Sequence, residues 1–239
     1  MKQTTETIVQ HKVIGQDTEV MGTAVLKTDT ISTSIDHEPS ALYYISKRFI
    51  DILLSIIGII VLVPLFLIIA ICIKLEDGGD ILYFREIIGY QHQRFFALKF
   101  RTMIPDADAY LEEHPDLMQE FRQNMKLKYD PRITRVGGFL RRTSMDELPQ
   151  LFNVLIGQMS LVGPRMIHPS ELPRYGEYGQ KRLSVTPGIT GLWQLYGRQH
   201  DSLDQRISLD MQYVDMRSFY LDLVILLRTL RVFVFQTGV

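Results

Sequence analysis

The chain has 239 residues, room for one medium domain or a small one plus appendages, of which one folded domain is expected, and its 26 Lys+Arg against 27 Asp+Glu leave a net charge of -1. A balance this close excludes a global field that would gather nucleic acid, so any basic site has to be local. The single cysteine, Cys72, excludes an internal disulfide and a cysteine-based metal cluster, and suits a reducing compartment.

Residues 1–40 are polar, rich in Thr, Ser and Gln, with neither a helical apolar stripe nor a signal-peptide core, and their composition predicts a mobile tail. Lys47 and Arg48 then introduce FIDILLSIIGIIVLVPLFLIIAICI, which carries one charge, Asp51, before Lys74. About 20 apolar residues cross a bilayer core, so this run is membrane material by length. A buried soluble helix is the competing reading, disfavoured because such helices seldom stay apolar on every face for so long. Pro64 sits mid-run, removes a backbone donor and clashes with the preceding turn, which predicts a kink. Basic residues flank both ends, so the positive-inside bias selects no orientation. A helix that enters, bends at Pro64 and leaves on the same face satisfies both facts; a tilted, kinked span stays open.

After the turn-rich Glu76-Asp77-Gly78-Gly79, the Ile/Tyr/Phe alternation of DILYFREIIGYQHQRFFALKFRTM, broken at Gly89, predicts two short strands joined by a turn. Residues 106–128 read as a helix with acids early and bases late. PRITRVGGFLRR supplies a turn and four arginines, Arg132, Arg135, Arg141 and Arg142, with no acid among them. An apolar helix is expected from Leu148 to about Gly157, followed by the loop SLVGPRM, a Gly/Pro turn at TPGITG and a helix around 203–216. The last segment, FYLDLVILLRTLRVFVF, is apolar on most faces and reads equally as an interfacial or a core helix. There is no internal repeat.

The stretch TSMDELPQL, residues 143–151, sets Asp146 beside Glu147 just after the arginines. Ser144 and Glu147 have the spacing of a capping box. Pro149 argues against it, because a helix starting at Ser144 would lose a real hydrogen bond there, whereas a start at Asp146 makes the missing N–H an orphan in any case. Arg141 and Arg142 nearby, with a helix start, favour an ionised Asp146, low in pKa and able to attack phosphorus while the same groups hold phosphates. Glu147 would help bind a divalent cation shared with a diphosphate.

Residues 139–165, FLRRTSMDELPQLFNVLIGQMSLVGPR, resemble the signature of the bacterial sugar transferases, the monotopic phosphoglycosyl transferases. The likeness covers residues 41–239 and includes KRFID, KFRTM at 99–103 and TPGITGLWQLYGR at 186–198; EEHPDLMQEFRQNMKLKYDPRITR and GLWQ look most like the galactose-type members. The resemblance implies an α+β chain in three parts. These are the tail (1–40), a re-entrant membrane helix broken at Pro64 (41–75), and a cytoplasmic, mostly helical transferase domain (76–239) with a short β-hairpin and interfacial amphipathic helices.

It further implies transfer of a hexose-1-phosphate, galactose favoured, from a UDP-sugar to undecaprenyl phosphate at the inner leaflet of the bacterial cytoplasmic membrane. This is the first membrane step of exopolysaccharide, capsule or O-antigen synthesis. Asp146 matches the nucleophile that forms a phosphosugar-aspartyl enzyme and releases UMP, and Glu147 the second acid; both would meet Mg2+. Lys99, Arg101, Arg142, Arg165, Arg198, Asp210 and Asp222 match basic or polar positions near the phosphates and nucleotide. Asp222, set among Leu221, Leu223 and Val224, needs a partner on local grounds alone. A homodimer is left open.

Three departures stand out from the family pattern. Met166 follows Pro164-Arg165 where a proline is usual, which predicts a looser loop; Ile87 replaces an arginine while Arg85 gains one; and Val63 precedes Pro64 where a serine is usual. The changes at 87 and 166 lend some weight to an alternative, a catalytically silent membrane scaffold of a polysaccharide assembly complex. The intact Asp146-Glu147 pair speaks for the enzyme. A nucleic-acid binder is disfavoured because no aromatic stacking platform accompanies the arginines.

Overall fold

A computed structural model describes residues 39–124, 127–196 and 202–235, so all but the last two residues of the 1–40 tail lie outside the described residues. Helix α1 (Ala41–Asp77) opens on Ser40, whose side chain accepts from the Tyr43 N–H, and closes on Gly78 at φ 75°, a left-handed cap that glycine adopts without cost. Among the described residues it is the one helix long and apolar enough to cross a membrane. It runs through Pro64 as a single element.

One stripe of α1 faces the rest of the chain from end to end. Tyr43, Asp51, Ser55, Ile69 and Ile73 are buried at helical spacing, and Gly58 packs on Leu151. Asp51, the lone charge of the apolar run, accepts from the Leu161 N–H at 2.9 Å. The opposite faces leave Leu42, Ile45, Phe49, Ile60, Val61 and Leu67 60–70% exposed. Contiguous apolar surface on this scale marks contact with a membrane or a partner.

The predicted hairpin is present as β1 (Leu82–Ile88) and β2 (Arg94–Phe100), antiparallel in register from Leu82 opposite Phe100 to Ile88 opposite Arg94. Its turn, beginning at Gly89, carries Gln91 and His92 at positive φ. Ile87, Phe95 and Ala97 enter the main core with Val154, Met159, Val162, Met166, Tyr213 and Ile225. Burying such a side chain contributes about 1.5–3 kcal/mol relative to leaving it exposed. Phe100 joins Ile69, Ile73 and Leu140 in a second cluster that seats the far end of α1.

The helix expected over 106–128 is two helices, α2 (Ala107–Glu112) and α3 (Pro115–Asn124), because Pro115 drives the residue before it out of helical conformation. The arginine-rich segment is also helical: α4 (Arg135–Thr143) is capped by the Thr134 hydroxyl, which accepts from the Gly137 N–H at 2.9 Å. Helix α5 (Gln150–Ile156) stops at Gly157 as expected. Two segments read as loop and turn instead hold β3 (Ser160–Val162) and β4 (Gly188–Thr190), which pair in parallel. The chain continues through α6 (Tyr178–Arg182), α7 (Leu192–Tyr196), α8 (Leu203–Met216) and α9 (Phe219–Phe235). The outcome is a mostly helical α+β chain with two small sheets.

Candidate active site

Asp146 and Glu147 lie on a 3-10 turn, Met145–Glu147, between α4 and α5. Ser144 ends α4 at φ 57°, whereas a capping-box residue is extended, so the Ser-x-x-Glu spacing marks no box. Helix α5 starts later than expected, with Pro149 at its N-cap, and the acids therefore precede the helix.

What holds the acids is Lys99, near the end of β2: its Nζ is 2.7 Å from Glu147 Oε1 and 3.4 Å from Asp146 Oδ2. The three side chains are only 14, 18 and 12% exposed, respectively. The approach of α4 to the strand end sets this register. A Cβ on Gly137 would lie 2.1 Å from the Thr102 carbonyl oxygen, so only glycine lets the two backbones meet there. Thr134 N–H donates to the same oxygen, and Arg141 Nε donates to Thr102 Oγ1 at 2.8 Å.

The expectation of a low pKa at Asp146 is corrected. Burial is the dominant influence and pushes the carboxyl above its ordinary range; Lys99 pulls it down, Glu147 raises it, and Arg141 contributes the least of the opposing pulls. The shift places the proton within easier reach of the carboxyl and makes Lys99 the main group that favours the carboxylate. A cleft of about 120 Å³ opens beside Glu147, walled by Leu148, Leu151 and Ile189 and reaching Gln194 and Thr229. A larger cavity, about 330 Å³, lies at the N-terminal end of α1 near Lys47, Asp51 and Tyr213 and includes neither acid.

Two adjacent carboxylates around a cation position now taken by an ammonium fit magnesium, which commonly takes one or two carboxylates together with substrate phosphates and water. Among the described residues no third His, Cys, Asp or Glu completes a cage without substrate.

The other predicted positions separate. Arg101 is committed to the end of α1: its guanidinium grips Asp77, with Nη1 2.7 Å from Oδ2, and donates to the carbonyls of Asp80 and Met103. Arg142 is exposed on α4 and makes no ion pair among the described residues. Arg198 lies outside the described residues. Arg132 of the arginine run is buried and paired with Asp130, an acid just upstream of that run.

Asp222 has the partners its surroundings demand: Lys47 Nζ at 2.7 Å, the Tyr213 hydroxyl at 2.7 Å and the Tyr43 hydroxyl at 3.1 Å. Asp210 is 1% exposed and accepts from the Tyr175 hydroxyl and the Arg165 N–H. Neither aspartate is joined to the acid pair by a hydrogen bond or ion pair. Sequence reasoning missed Tyr175 and Arg182, which complete the Asp210 cluster, because no local pattern links them to it. It also missed Gln150, four residues past Asp146, which is 1% exposed with neither amide atom partnered among the described residues.

Two of the three departures from the family pattern, at 87 and 166, are absorbed by the fold, whereas Val63 is 45% exposed on α1. Ile87 and Met166 meet in the main core, and Arg85 pairs with Glu171 at 3.1 Å. The loop after Pro164 is not loose, since Asp210 and Arg182 hold Arg165 at its N–H and its carbonyl.

A pair of acids bridged by a largely buried lysine stands on a domain packed along a long apolar helix suited to a membrane, and comparison with known families supplies the class. The family model for bacterial sugar transferases matches residues 42–236, and the chain belongs to that family. It is 44% identical over 190 residues to an exopolysaccharide production protein ExoY of Sinorhizobium fredii, covering 78% of this chain and 84% of that protein. It is 41% identical over 196 residues to an undecaprenyl-phosphate galactose phosphotransferase of Salmonella typhimurium, covering 80% of this chain and 41% of that one. An undecaprenyl-phosphate glucose phosphotransferase of Komagataeibacter xylinus is 36% identical over 198 residues, or 78% and 35% of the two chains.

Proposed function

We propose that the protein transfers a hexose-1-phosphate, galactose favoured, from a UDP-sugar to undecaprenyl phosphate and so begins a lipid-linked polysaccharide at the inner face of the cytoplasmic membrane. The observation that carries the reading is the Lys99-bridged pair Asp146-Glu147 in a family of sugar transferases whose members include undecaprenyl-phosphate phosphotransferases.

In the first step an Asp146 carboxylate oxygen attacks the β-phosphorus of the UDP-sugar. The bond from that phosphorus to the bridging oxygen breaks, and UMP leaves with the oxygen and its electron pair. In the second step a phosphate oxygen of undecaprenyl phosphate attacks the same phosphorus and frees the carboxylate. Both nucleophiles are anions, so neither step needs a proton withdrawn, and division into two steps spares the site from holding two anionic substrates at once. Magnesium, held by Asp146 and Glu147, would supply charge neutralisation on the diphosphate. Burial raises the Asp146 carboxyl, and Lys99 is the main group that pulls it back toward the carboxylate the first step needs.

The membrane disposition follows from α1. At 37 residues it is about 55 Å long, more than a ~30 Å bilayer core requires, yet both ends are fastened to the same domain, Tyr43 to Asp222 and Glu76 to the Arg135 N–H. An arrangement in which α1 dips into one leaflet, bends at Pro64 and returns satisfies this, with α9 lying in the interface. Tyr220, Leu223, Leu227 and Leu230 face outward on α9 while Asp222 and Ile225 face inward.

Silent scaffolding loses its support, because the changes at Ile87 and Met166 serve the core and touch neither acid. The purified chain, given UDP-galactose, magnesium and undecaprenyl phosphate, is expected to release UMP and form lipid-soluble sugar; Asp146→Asn is expected to do neither. Absence of both products from the native chain across a panel of UDP-sugars would refute the reading.

A further inference from the structure

The three residues Gly163-Pro164-Arg165 leave β3 and are pinned at four backbone polar groups, Gly163 N–H, the Pro164 carbonyl, and the N–H and carbonyl of Arg165. Gly163 N–H donates to the Thr190 carbonyl and Gly188 N–H to the Pro164 carbonyl, both at 2.9 Å. A Cβ on Gly188 would come 2.1 Å from Gly163 N, and one on Gly191 2.2 Å from Gly163 O, so the two segments touch backbone to backbone. Arg165 itself is held on both sides. Its N–H donates to Asp210 Oδ1 at 3.2 Å, and its carbonyl accepts from Arg182 Nη2.

The groups that do the holding are sunk in the protein. Arg182 is 0% and Asp210 1% exposed, the Arg182 Nε is 3.8 Å from Asp210 Oδ2, and the Tyr175 hydroxyl donates to Oδ2 at 2.8 Å. Burial pushes the Asp210 carboxyl up and the Arg182 guanidinium down, so the fold opposes both charges. Arg182 Nε and Nη1 lack hydrogen-bond partners among the described residues. A buried ion pair of this kind adds little stability over an apolar replacement, and its best-attested use is to fix one geometry. What it fixes here is the backbone of an arginine whose own guanidinium makes no hydrogen bond or ion pair among the described residues. A tethered guanidinium whose donors no described residue takes is suited to meet an anion in fork geometry.

We propose that Tyr175, Asp210 and Arg182 are positioning residues that present Arg165 to a diphosphate, which under the function proposed above is that of the sugar nucleotide. The three act through Arg165 and never touch the ligand. Asp210, matched above to a ligand-facing position, is reassigned to the clamp.

The test is a double-mutant cycle on the full chain in lipid nanodiscs, read as magnesium-dependent binding of inorganic pyrophosphate. Arg165→Ala is expected to raise Kd about tenfold, the scale of a lost charge-assisted contact, and Tyr175→Phe about threefold through loss of one hydrogen bond. Combined, they are expected to equal Arg165→Ala alone, because the clamp has nothing left to present. Should Tyr175→Phe unfold the chain, Arg182→Lys, which keeps the charge but not the fork, takes its place. Additive effects, a Kd indifferent to Arg165, or a native chain that binds no pyrophosphate would overturn the proposal. UMP release from UDP-sugars separates it from the functional reading. Additive effects in a chain that releases UMP end the clamp alone, and a non-additive cycle in a chain that releases none ends the transferase reading alone.

Discussion

Lys99 Nζ lies 2.7 Å from Glu147 Oε1, and from that position it also reaches Asp146 at 3.4 Å. One ammonium thus stands between two side chains that would otherwise repel each other in a largely dry site. Lys99→Met removes the main group that opposes the upward shift at Asp146. The expected result is a fall in UMP release of about 10²- to 10³-fold, the scale of losing one preorganised charge at a reacting centre. Acid-quenched mass spectrometry should show the phosphosugar adduct on Asp146 accumulating more slowly by the same factor. Unchanged adduct formation in Lys99→Met would remove the lysine from the chemistry.

The acid pair was legible because its signature is contiguous, and the hairpin because period-2 alternation ends at a glycine. What escaped notice depends on distance along the chain. Lys47 meets Asp222 across 175 residues and Arg182 meets Asp210 across 28, and no local pattern encodes either. The parallel pair β3–β4 is hidden for the same reason, since Gly188–Thr190 reads as a turn until Ser160–Val162 is laid beside it. The arginine run looked like an anion site because acids were sought only within it, yet Arg132 uses Asp130 just outside. The sign of the shift at Asp146 was missed because burial, which dominates it, is a tertiary quantity.

Lys47 and Asp222 fasten the N-terminal end of α1, with side chains 16 and 9% exposed. Lys47→Met or Asp222→Leu alone strands the other charge, and each is expected to cost about 3–5 kcal/mol in detergent-solubilised unfolding. The double variant should recover part of that loss. A double variant that loses the full sum of the two would show that the charges act independently.

If both ends of α1 stay on one side of the bilayer, cysteines at Leu42 and Asp80, both exposed, should label from the same side. The native Cys72 is exposed and needs replacing with serine first. In right-side-out spheroplasts a membrane-impermeant maleimide is expected to reach neither cysteine, and in inverted vesicles both. Reaction of one cysteine in each preparation would establish a full span.

Glu171 ties β1 to the segment before α6: it accepts from the His168 N–H at 2.9 Å and faces Arg85 at 3.1 Å and Arg206 at 3.2 Å. Burial alone would raise its carboxyl, but the His168 N–H, Arg206 and Arg85 together outweigh it and hold the group below the ordinary 4.5. A carboxylate with a depressed folded pKa contributes stability that is complete above its unfolded value and drains away as pH falls through the folded one. Glu171→Gln leaves two guanidinium groups short of a carboxylate and is expected to cost about 1–3 kcal/mol near neutrality. The native chain should then lose stability more steeply than the variant below pH 4.5, so that the two unfolding curves converge. Urea titrations from about pH 7 to about pH 3 measure this directly. A gap between the curves that stays constant across the acid range would mean that Glu171 contributes through packing, and that its charge does not help join the hairpin to the rest of the domain.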